Sequence, residues 1–410
     1  MTPPELIQFV SDGVDRAKAN EAAQVYATVC PYYDQGQLPL RSHYAFGWII
    51  YYALHQGGAY DIAARKQMLA RYLNLSVTRP HKLHSMILTE AIRLYKDAAE
   101  ATFVAKKNRS SSPPPSFSII RFSSLWNLIN LRPGDWRRKD SEGKILNSTV
   151  EKFITCYVNE LESGGTLPST EFQTIFNEAL RQYPDSSTLM AQAATLHEIC
   201  GEKDKAKDWL RSAVLATPSK FFLWSRLAGH IDKDRDIKLH IALLHKALTA
   251  SGPEEYKGKV RLALAKAWIS IKGYPQALYE LNALREIYLR NGWNLSSDFK
   301  ETEKAIPELT KAVNPAPAYS RISALADEFL VAGIPEIAVK KTFHKPGGET
   351  TDRYGNRRQQ PVAWRVSDNL NNNYWFNPSR FRISEELPMQ TSLLVKIYNG
   401  KIVGARIPEE

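Results

Sequence analysis

The sequence has few cysteines, no long apolar run and no segment typical of a secretory leader. Only three of its 410 residues are cysteine, namely Cys30, Cys156 and Cys200, and they are widely spaced, odd in number and without a CxxC or Cys/His pattern. This usage argues against a disulfide framework and a structural zinc site. No run of about 18 apolar residues occurs, so no membrane-spanning helix is predicted. The N-terminus lacks the basic and apolar regions of a signal peptide, and we therefore expect a cytoplasmic protein.

Motifs of common catalytic and metal sites are also missing. The sequence has no glycine-rich phosphate loop ending in Gly-Lys-Ser/Thr, no HExxH and no GxSxG. His81 and His84 have a spacing suited to a shared metal, but no nearby carboxylate or cysteine completes the set. Residues 232–236 (DKDRD) begin like a calcium loop, yet Ile237 and Leu243 replace its obligatory glycine and glutamate. We expect an exposed turn there, and a protein that is not an enzyme and needs no metal or cofactor.

The net charge of +11 is concentrated in two patches. Residues 106–140 contain eight Lys/Arg against two Asp/Glu, and residues 340–382 contain nine against three. Such local excesses of positive charge attract polyanions and acidic partners.

Changes in residue pattern divide the chain into four regions. Residues 1–105 have apolar residues at three- and four-residue spacing, which predicts helices. A basic Pro/Ser-rich connector and turn follow in 106–149. Helices return in pairs over 150–332, and 333–410 read as a small basic β module. Within the first region, residues 44–54 (YAFGWIIYYAL) are too short to span a bilayer and predict a core helix.

The paired helices fit a period of 34 residues. Small residues recur where paired helices approach most closely, and larger apolar residues recur beside them. The positions in this register are Met190, Ala193, Ala194, His197, Gly201, Ala206, Leu210, Ala213 and Pro218 in a unit starting at Ser187, then Trp224, Leu227, Ala228, Ile231, Leu244 and Ala247, then Leu264, Ala265, Trp268, Ala277, Leu281 and Leu284, with Phe176, Ala179 and Pro184 before them.

In this pattern residues 153–290 resemble tetratricopeptide repeats. The resemblance implies a mostly α fold, in which helical hairpins stack into an α-solenoid, and a scaffold or adaptor that binds a protein or peptide on its concave face. The Lys/Asn pattern of members that grip a C-terminal carboxylate is not recognisable, so no ligand class follows. No 34-residue register survives in the N-terminal region, which leaves open whether its helices are degenerate repeats. On this chain the resemblance places the groove at Thr188, Ala191, Gln192, Thr195, Phe222, Ser225, Arg226, Lys259 and Lys266.

The β module combines arginines with aromatic residues. The pair Asn399-Gly400 between alternating apolar runs predicts a β-hairpin, and the strands around it suggest part of a barrel. Cations that hold phosphates and aromatic faces that stack bases are what nucleic-acid-binding β modules need. In the alternative interpretation, Trp364, Trp375 and Phe381 form a small core and the arginines its solvated face. The candidate contacts are Arg353, Arg357, Arg358, Arg365, Tyr374, Arg380 and Arg382, with Arg137, Arg138 and Lys139 in the other basic patch.

Two functional hypotheses remain. The first is a scaffold that binds a protein partner through the repeat groove, with auxiliary nucleic-acid contact by the β module. The second is a protein that binds single-stranded RNA or DNA through the β module, with the helices as a spacer or dimerisation platform. The order of helical region, repeats and basic β tail is also similar to repeat proteins of bacterial conflict systems of the TOTE type, some of which carry a cold-shock-like module. The C-terminal strands lack the aromatic RNP-type signature of cold-shock domains.

Overall fold

The fold is mostly helical and ends in a curled five-stranded sheet that forms a half-barrel. The computed structural model describes residues 1–56, 60–78, 81–107, 116–141, 144–164, 167–351 and 357–408. The predicted mostly α class with a small C-terminal β element is confirmed. Residues 108–115 of the predicted connector lie outside the described residues. Within the described part, no helix is both long and apolar enough to cross a membrane.

The chain divides into two compact units. The N-terminal unit comprises residues 1–183 and 198–201, and the C-terminal unit comprises 184–197 and 202–410. The N-terminal unit is built from α1 (Pro3–Arg16), α2 (Ala22–Asp34), α3 (His43–His55), α4 (Ile62–Leu73), α5 (Lys82–Lys107), α6 (Ile119–Trp126), the antiparallel pair β1 (Lys139–Ser141) and β2 (Lys144–Leu146), α7 (Thr149–Gly164) and α8 (Thr170–Gln182).

Helix α3 forms the centre of the N-terminal unit and packs against α1, α2 and α5. Its residues Phe46, Ile49 and Ile50 are completely buried, which confirms the predicted core helix. Gly47 permits the close approach of α5, because a Cβ there would lie 2.8 Å from Leu83 Cδ2. An alanine at this position would have to displace the Leu83 side chain.

The C-terminal unit begins with successive helices at the predicted positions. They are α9 (Ser187–Ile199), α10 (Lys203–Ala216), α11 (Phe221–Gly229), α12 (Lys233–Thr249), α13 (Gly258–Ser270), α14 (Tyr274–Arg290), α15 (Ser297–Lys304) and α16 (Ala316–Val331). Helix α11 packs on α12, α12 on α13, and α13 on α14. The alanines of the 34-residue register are all buried, as a close helix approach requires. Residues 233–236 are exposed but form the first turn of α12, capped by Asp232, so the expected turn at DKDRD is in fact a helix start.

Helix α16 lies against the second helices of these pairs. Arg211 of α10 donates to the Leu330 carbonyl at 2.7 Å, and Lys246 of α12 lies 2.7 Å from the Asp327 carboxylate. Both acceptors belong to α16. One side of the helix pairs is therefore covered by the unit's own last helix.

A buried polar network joins α16 to α13 and α14. Glu280 is only 1% exposed, and its carboxylate accepts from Arg261 at 2.7 Å and from the Tyr319 hydroxyl at 2.8 Å. Trp268 donates to that hydroxyl at 3.2 Å, and Arg261 also donates to Glu254 at 2.9 Å. Burial raises the pKa of the Glu280 carboxyl, while the bonds from Tyr319 and Arg261 oppose the rise. The hydrogen bonds from Arg261 and Tyr319 offset the energetic cost of burying the Glu280 carboxylate.

The sheet follows α16. Its strands are β3 (Glu336–Lys345), β6 (Ala363–Asp368), β7 (Asn373–Phe376), β8 (Ser392–Tyr398) and β9 (Lys401–Arg406), in the antiparallel order β7-β6-β3-β8-β9, while β4 (Gly348–Thr351) and β5 (Arg357–Gln360) pair separately. Trp364, Val366, Leu393 and Val395 fill its core. The predicted hairpin is confirmed, because β8 and β9 are joined by Asn399 and Gly400 with φ of 47° and 72°.

Candidate functional site

The C-terminal unit contains a cavity of about 970 Å³ beside α13. It is lined by the start of α12, by one face of α13, by the end of α14 and by the start of α15. The lining residues are Lys233, Asp234, Ile237, His240, Gly258, Lys259, Leu262, Ala263, Lys266, Ala267, Ser270, Ile271, Leu284, Tyr288, Ser296 and Asp298. We call this site the α13 cavity.

Apolar groups make most of the α13 cavity wall, and its charged side chains are the lysines Lys233, Lys259 and Lys266 against the aspartates Asp234 and Asp298. Lys233 and Lys259 are exposed, and neither has an ion pair with any residue in the described part of the chain. Lys266 donates to the Asp298 carboxylate at 2.5 Å, and both side chains are about half exposed. The cavity therefore offers two lysines without an acidic partner and a third in an exposed ion pair of small expected strength.

Two local features shape this site. Helix α13 begins with Gly258, where a Cβ would lie 3.2 Å from Leu284 Cδ1, so a larger residue would narrow the cavity. Helix α15 begins after Ser296, whose hydroxyl accepts from the Phe299 amide at 3.1 Å. Phe299 is buried and anchors the helix, which fixes Asp298 opposite Lys266.

His240 is the one imidazole in the cavity lining, and it is already engaged. Its Nδ1 donates to the Ala228 carbonyl at 2.8 Å. Burial lowers the pKa of this side chain, the bond to Ala228 opposes the effect, and the positive charge of Lys233 adds to it. No group of three His, Cys, Asp or Glu residues suited to a metal ion occurs within the described ranges.

The structure brings together only part of the predicted groove. Lys259 and Lys266 line the α13 cavity, whereas the other predicted groove residues do not. Phe222 is exposed on α11 with Lys220 Nζ 5.9 Å from its ring centroid. The half-buried members of the set are Thr188, Gln192, Ser225 and Arg226.

Arg226 bridges α11 to α9. Its guanidinium donates to the Ala191 carbonyl at 3.3 Å and to the Thr195 hydroxyl at 3.0 Å. Ala191 and Thr195 are themselves buried. Changing Arg226 therefore disturbs helix packing, and a loss of partner binding in such a variant would not identify a groove contact.

Two cavity residues that the sequence analysis did not single out are Lys233 and Asp298. Lys233 lies in the DKDRD stretch, which was interpreted as a turn, and Asp298 lies beyond the last repeat unit assigned. The sequence signal that points to Asp298 is Ser296. Serine is a preferred N-cap residue, and here it marks the start of a further helix.

In the β module, Arg365 and Tyr374 lie on opposite sides of the sheet. Arg365 is on the outward side, with its guanidinium carbon 5.6 Å from the centroid of the Phe343 ring. Tyr374 is half-buried against the core and donates to Asp368 at 3.2 Å. Trp364 belongs to the core, as the alternative interpretation expected, but Trp375 is 53% exposed and does not.

The remaining candidate arginines lie in segments that precede β6 or follow β7 in the chain. Arg357 is exposed, 3.8 Å from Glu349. Arg380 and Arg382 are exposed in the turn after β7. The candidates Arg353 and the side chain of Arg358 lie outside the described residues.

The second basic patch belongs to the N-terminal unit, where its members differ in environment. Arg138 makes a two-point contact with the fully buried Glu151, at 3.0 and 2.7 Å, and its guanidinium carbon is 4.3 Å from the Tyr183 ring centroid. Arg137 and Lys139 are exposed. Arg138 therefore contacts Glu151 and Tyr183, whereas Arg137 and Lys139 form no ion pair among the described residues.

A comparison with protein families matches one part of the chain. Residues 190–326 match a domain of unknown function, DUF7017. No match is found among curated proteins. The match gives no activity and covers about a third of the sequence, so the resemblance to tetratricopeptide repeats stays a proposal.

The DUF7017 match has informative boundaries. It begins within α9 and ends within α16, before the sheet starts at Glu336. Every residue that lines the α13 cavity falls inside the matched range. The cavity thus lies wholly in the matched helices.

Proposed function

We propose that α9–α16 form a tetratricopeptide-like scaffold whose α13 cavity binds a peptide segment of a protein partner. The observation that supports this proposal best is the combination of an apolar cavity wall with lysines at Lys233, Lys259 and Lys266. The chain acts by binding, and we expect it to catalyse no reaction. Stacked helix pairs provide the rigid frame that holds these side chains in place.

The charge and apolarity of the cavity specify the class of peptide. Two of its lysines lack an acidic partner in the described part of the unit, so a ligand with Asp or Glu gains charge complementarity. Ile237, Leu262 and Ile271 offer apolar surface for Leu- or Phe-like side chains. An amphipathic peptide, with apolar anchors flanked by acidic residues, fits both features.

The position of α16 supports the α13 cavity as the peptide-binding site, because α16 covers the other side of the helix pairs. Contacts from Arg211 and Lys246 hold α16 against α10 and α12. That side of the pairs is occupied within the unit itself, while the α13 cavity is bounded by α12, α13, α14 and α15. A partner segment that enters the cavity meets α13, the first helix of its pair, as in the tetratricopeptide mode of binding.

Reversal of the two unpaired cavity lysines is expected to abolish most of this binding. Peptides are selected from a random library on the full chain and titrated by isothermal calorimetry. The double variant Lys233→Glu/Lys259→Glu should bind the selected acidic peptides about tenfold or more weakly, because it replaces attraction by repulsion at two contacts.

The matched control makes the same charge change away from the cavity. Lys203→Glu/Lys311→Glu alters two exposed lysines of the same unit that do not line the cavity, and it should keep the parent affinity. Equal losses in both double variants would mean that only net charge matters. Selected peptides without acidic residues, or with undiminished affinity for the cavity variant, would contradict the proposal.

Removal of the acidic partner of Lys266 should have the opposite effect. In Asp298→Asn the side chain no longer repels an acidic peptide, and the Lys266 ammonium loses the carboxylate that competes with the peptide for it. Because an exposed ion pair contributes up to about 1 kcal/mol, affinity should rise by about two- to fivefold. The same titration with Asp327→Asn, which alters a carboxylate on α16, should show no gain.

A further inference from the structure

The outward side of the sheet at β3, β6 and β7 carries a row of three side chains. Trp364 pairs with Phe376, and both are buried, so the adjacent partners Arg365 and Trp375 lie on the opposite side. An irregularity in register between Lys341 and Phe343 sets Phe343 directly across from Arg365. Phe343, Arg365 and Trp375 therefore lie side by side on three neighbouring strands. We call this set the aromatic row.

Both aromatic rings of the row are available to a ligand. Phe343 is 44% exposed and Trp375 is 53% exposed. Their ring centroids are 5.8 Å apart with the planes at 73°, and Arg365 lies over the Phe343 ring. Large aromatic side chains that are exposed together, with a guanidinium between their strands, form a surface for stacking planar groups.

Cations continue the row along the strands. Lys340 is paired with Ser367 and Lys345 with Ala363, one on each side of the Phe343–Arg365 pair. Both lysines are exposed and have no acidic partner within the described residues. Asp368, the acid nearest in sequence on β6, is paired with the buried Val339 and therefore lies on the other side of the sheet. Charge on this side is therefore strongly positive.

We propose that the aromatic row binds single-stranded nucleic acid, with bases stacked on Phe343 and Trp375 and phosphates held by Lys340, Lys345 and Arg365. Stacking on aromatic side chains beside a basic track is how proteins bind single strands with little sequence preference. A second copy of the chain is a poor occupant, because it would bring another positive surface against this one. The site is separate from the α13 cavity and does not depend on peptide binding.

The test is fluorescence anisotropy of the full chain with labelled 12-nucleotide oligo-uridine and oligo-deoxythymidine, each at low and at physiological salt. Phe343→Ala and Trp375→Ala should each weaken binding about five- to hundredfold, the range expected for one stacked base. Lys340→Glu/Lys345→Glu should weaken binding further and flatten its salt dependence. Binding should also quench tryptophan fluorescence, and Trp375→Phe should lose that part of the signal while keeping affinity within a few-fold.

Matched controls separate this site from general charge and from folding defects. Trp293→Ala removes another exposed tryptophan of the unit, and Lys401→Glu reverses an exposed lysine on β9; both should bind like the parent. Peptide titration of Phe343→Ala should also match the parent, which shows that the chain is folded. Three results would overturn the proposal: no binding at low salt, tighter binding of a labelled 12-base-pair duplex in the same assay, or a loss confined to the lysine variants.

Discussion

Arg261→Met should lower the free energy of unfolding by about 3–5 kcal/mol. The substitution removes the donor that contacts Glu280 at 2.7 Å and leaves a carboxylate that is 1% exposed, with the Tyr319 hydroxyl as its remaining hydrogen-bond partner among the described residues. A buried charge that loses its counter-ion costs this much because it cannot recover its hydration. Urea denaturation of the full chain, followed by circular dichroism, measures the loss.

Two further variants show whether the unpaired charge causes that loss. Arg235→Met breaks an exposed ion pair with Asp232 and should change stability by no more than about 0.5 kcal/mol. Arg261→Met/Glu280→Gln should regain more than half of the loss, since a neutral amide still accepts from Tyr319 without burying a charge. If Arg261→Met is as mild as Arg235→Met, the network does not hold α16 in place.

Trp364→Ala should destabilise the β module by about 3–5 kcal/mol. The indole is fully buried in a small core, so the change removes a large apolar side chain and leaves a cavity. It also removes the ring that lies 3.9 Å from the ammonium of the buried Lys341. Hydrogen exchange of peptides from β3, β6 and β8 should accelerate strongly.

Trp375→Ala is the matched control for this core variant. Its side chain is 53% exposed, so exchange in the same strands should change little, corresponding to less than about 1 kcal/mol. The two tryptophans therefore separate structure from binding: Trp364 is required for the fold, and Trp375 for the proposed stacking. Equal destabilisation by both would contradict the assignment of the two sides of the sheet.

Local pattern predicted much of the architecture. The alanine spacing of the helix pairs and the Asn399-Gly400 turn are short-range signals, because each depends on residues within one helix pair or one hairpin. The helices at 187–290 and the hairpin at 398–401 accordingly match the predictions.

The candidate sites depend on contacts that sequence spacing does not contain. Lys266 and Asp298 are 32 residues apart, and only the packing of α15 near α13 brings them together. In sequence, Arg138 is one of three consecutive basic residues with Arg137 and Lys139. In the N-terminal unit it forms an ion pair with Glu151, which lies 13 residues later in the chain. Sequence alternation alone does not place Phe343 on the outward side, because the irregularity beside Lys341 decides which side of the sheet it occupies.

Hydrogen exchange of the full chain with and without a selected acidic peptide tests the central claim most directly. We expect slower exchange in the segments that border the α13 cavity, namely 233–240, 258–271, 284–288 and 296–298. We expect no comparable change in 316–331, which forms α16, and loss of the protection in Lys233→Glu/Lys259→Glu. A bound peptide that protects α16 or the N-terminal unit and leaves the α13 cavity unchanged would contradict the proposed binding site.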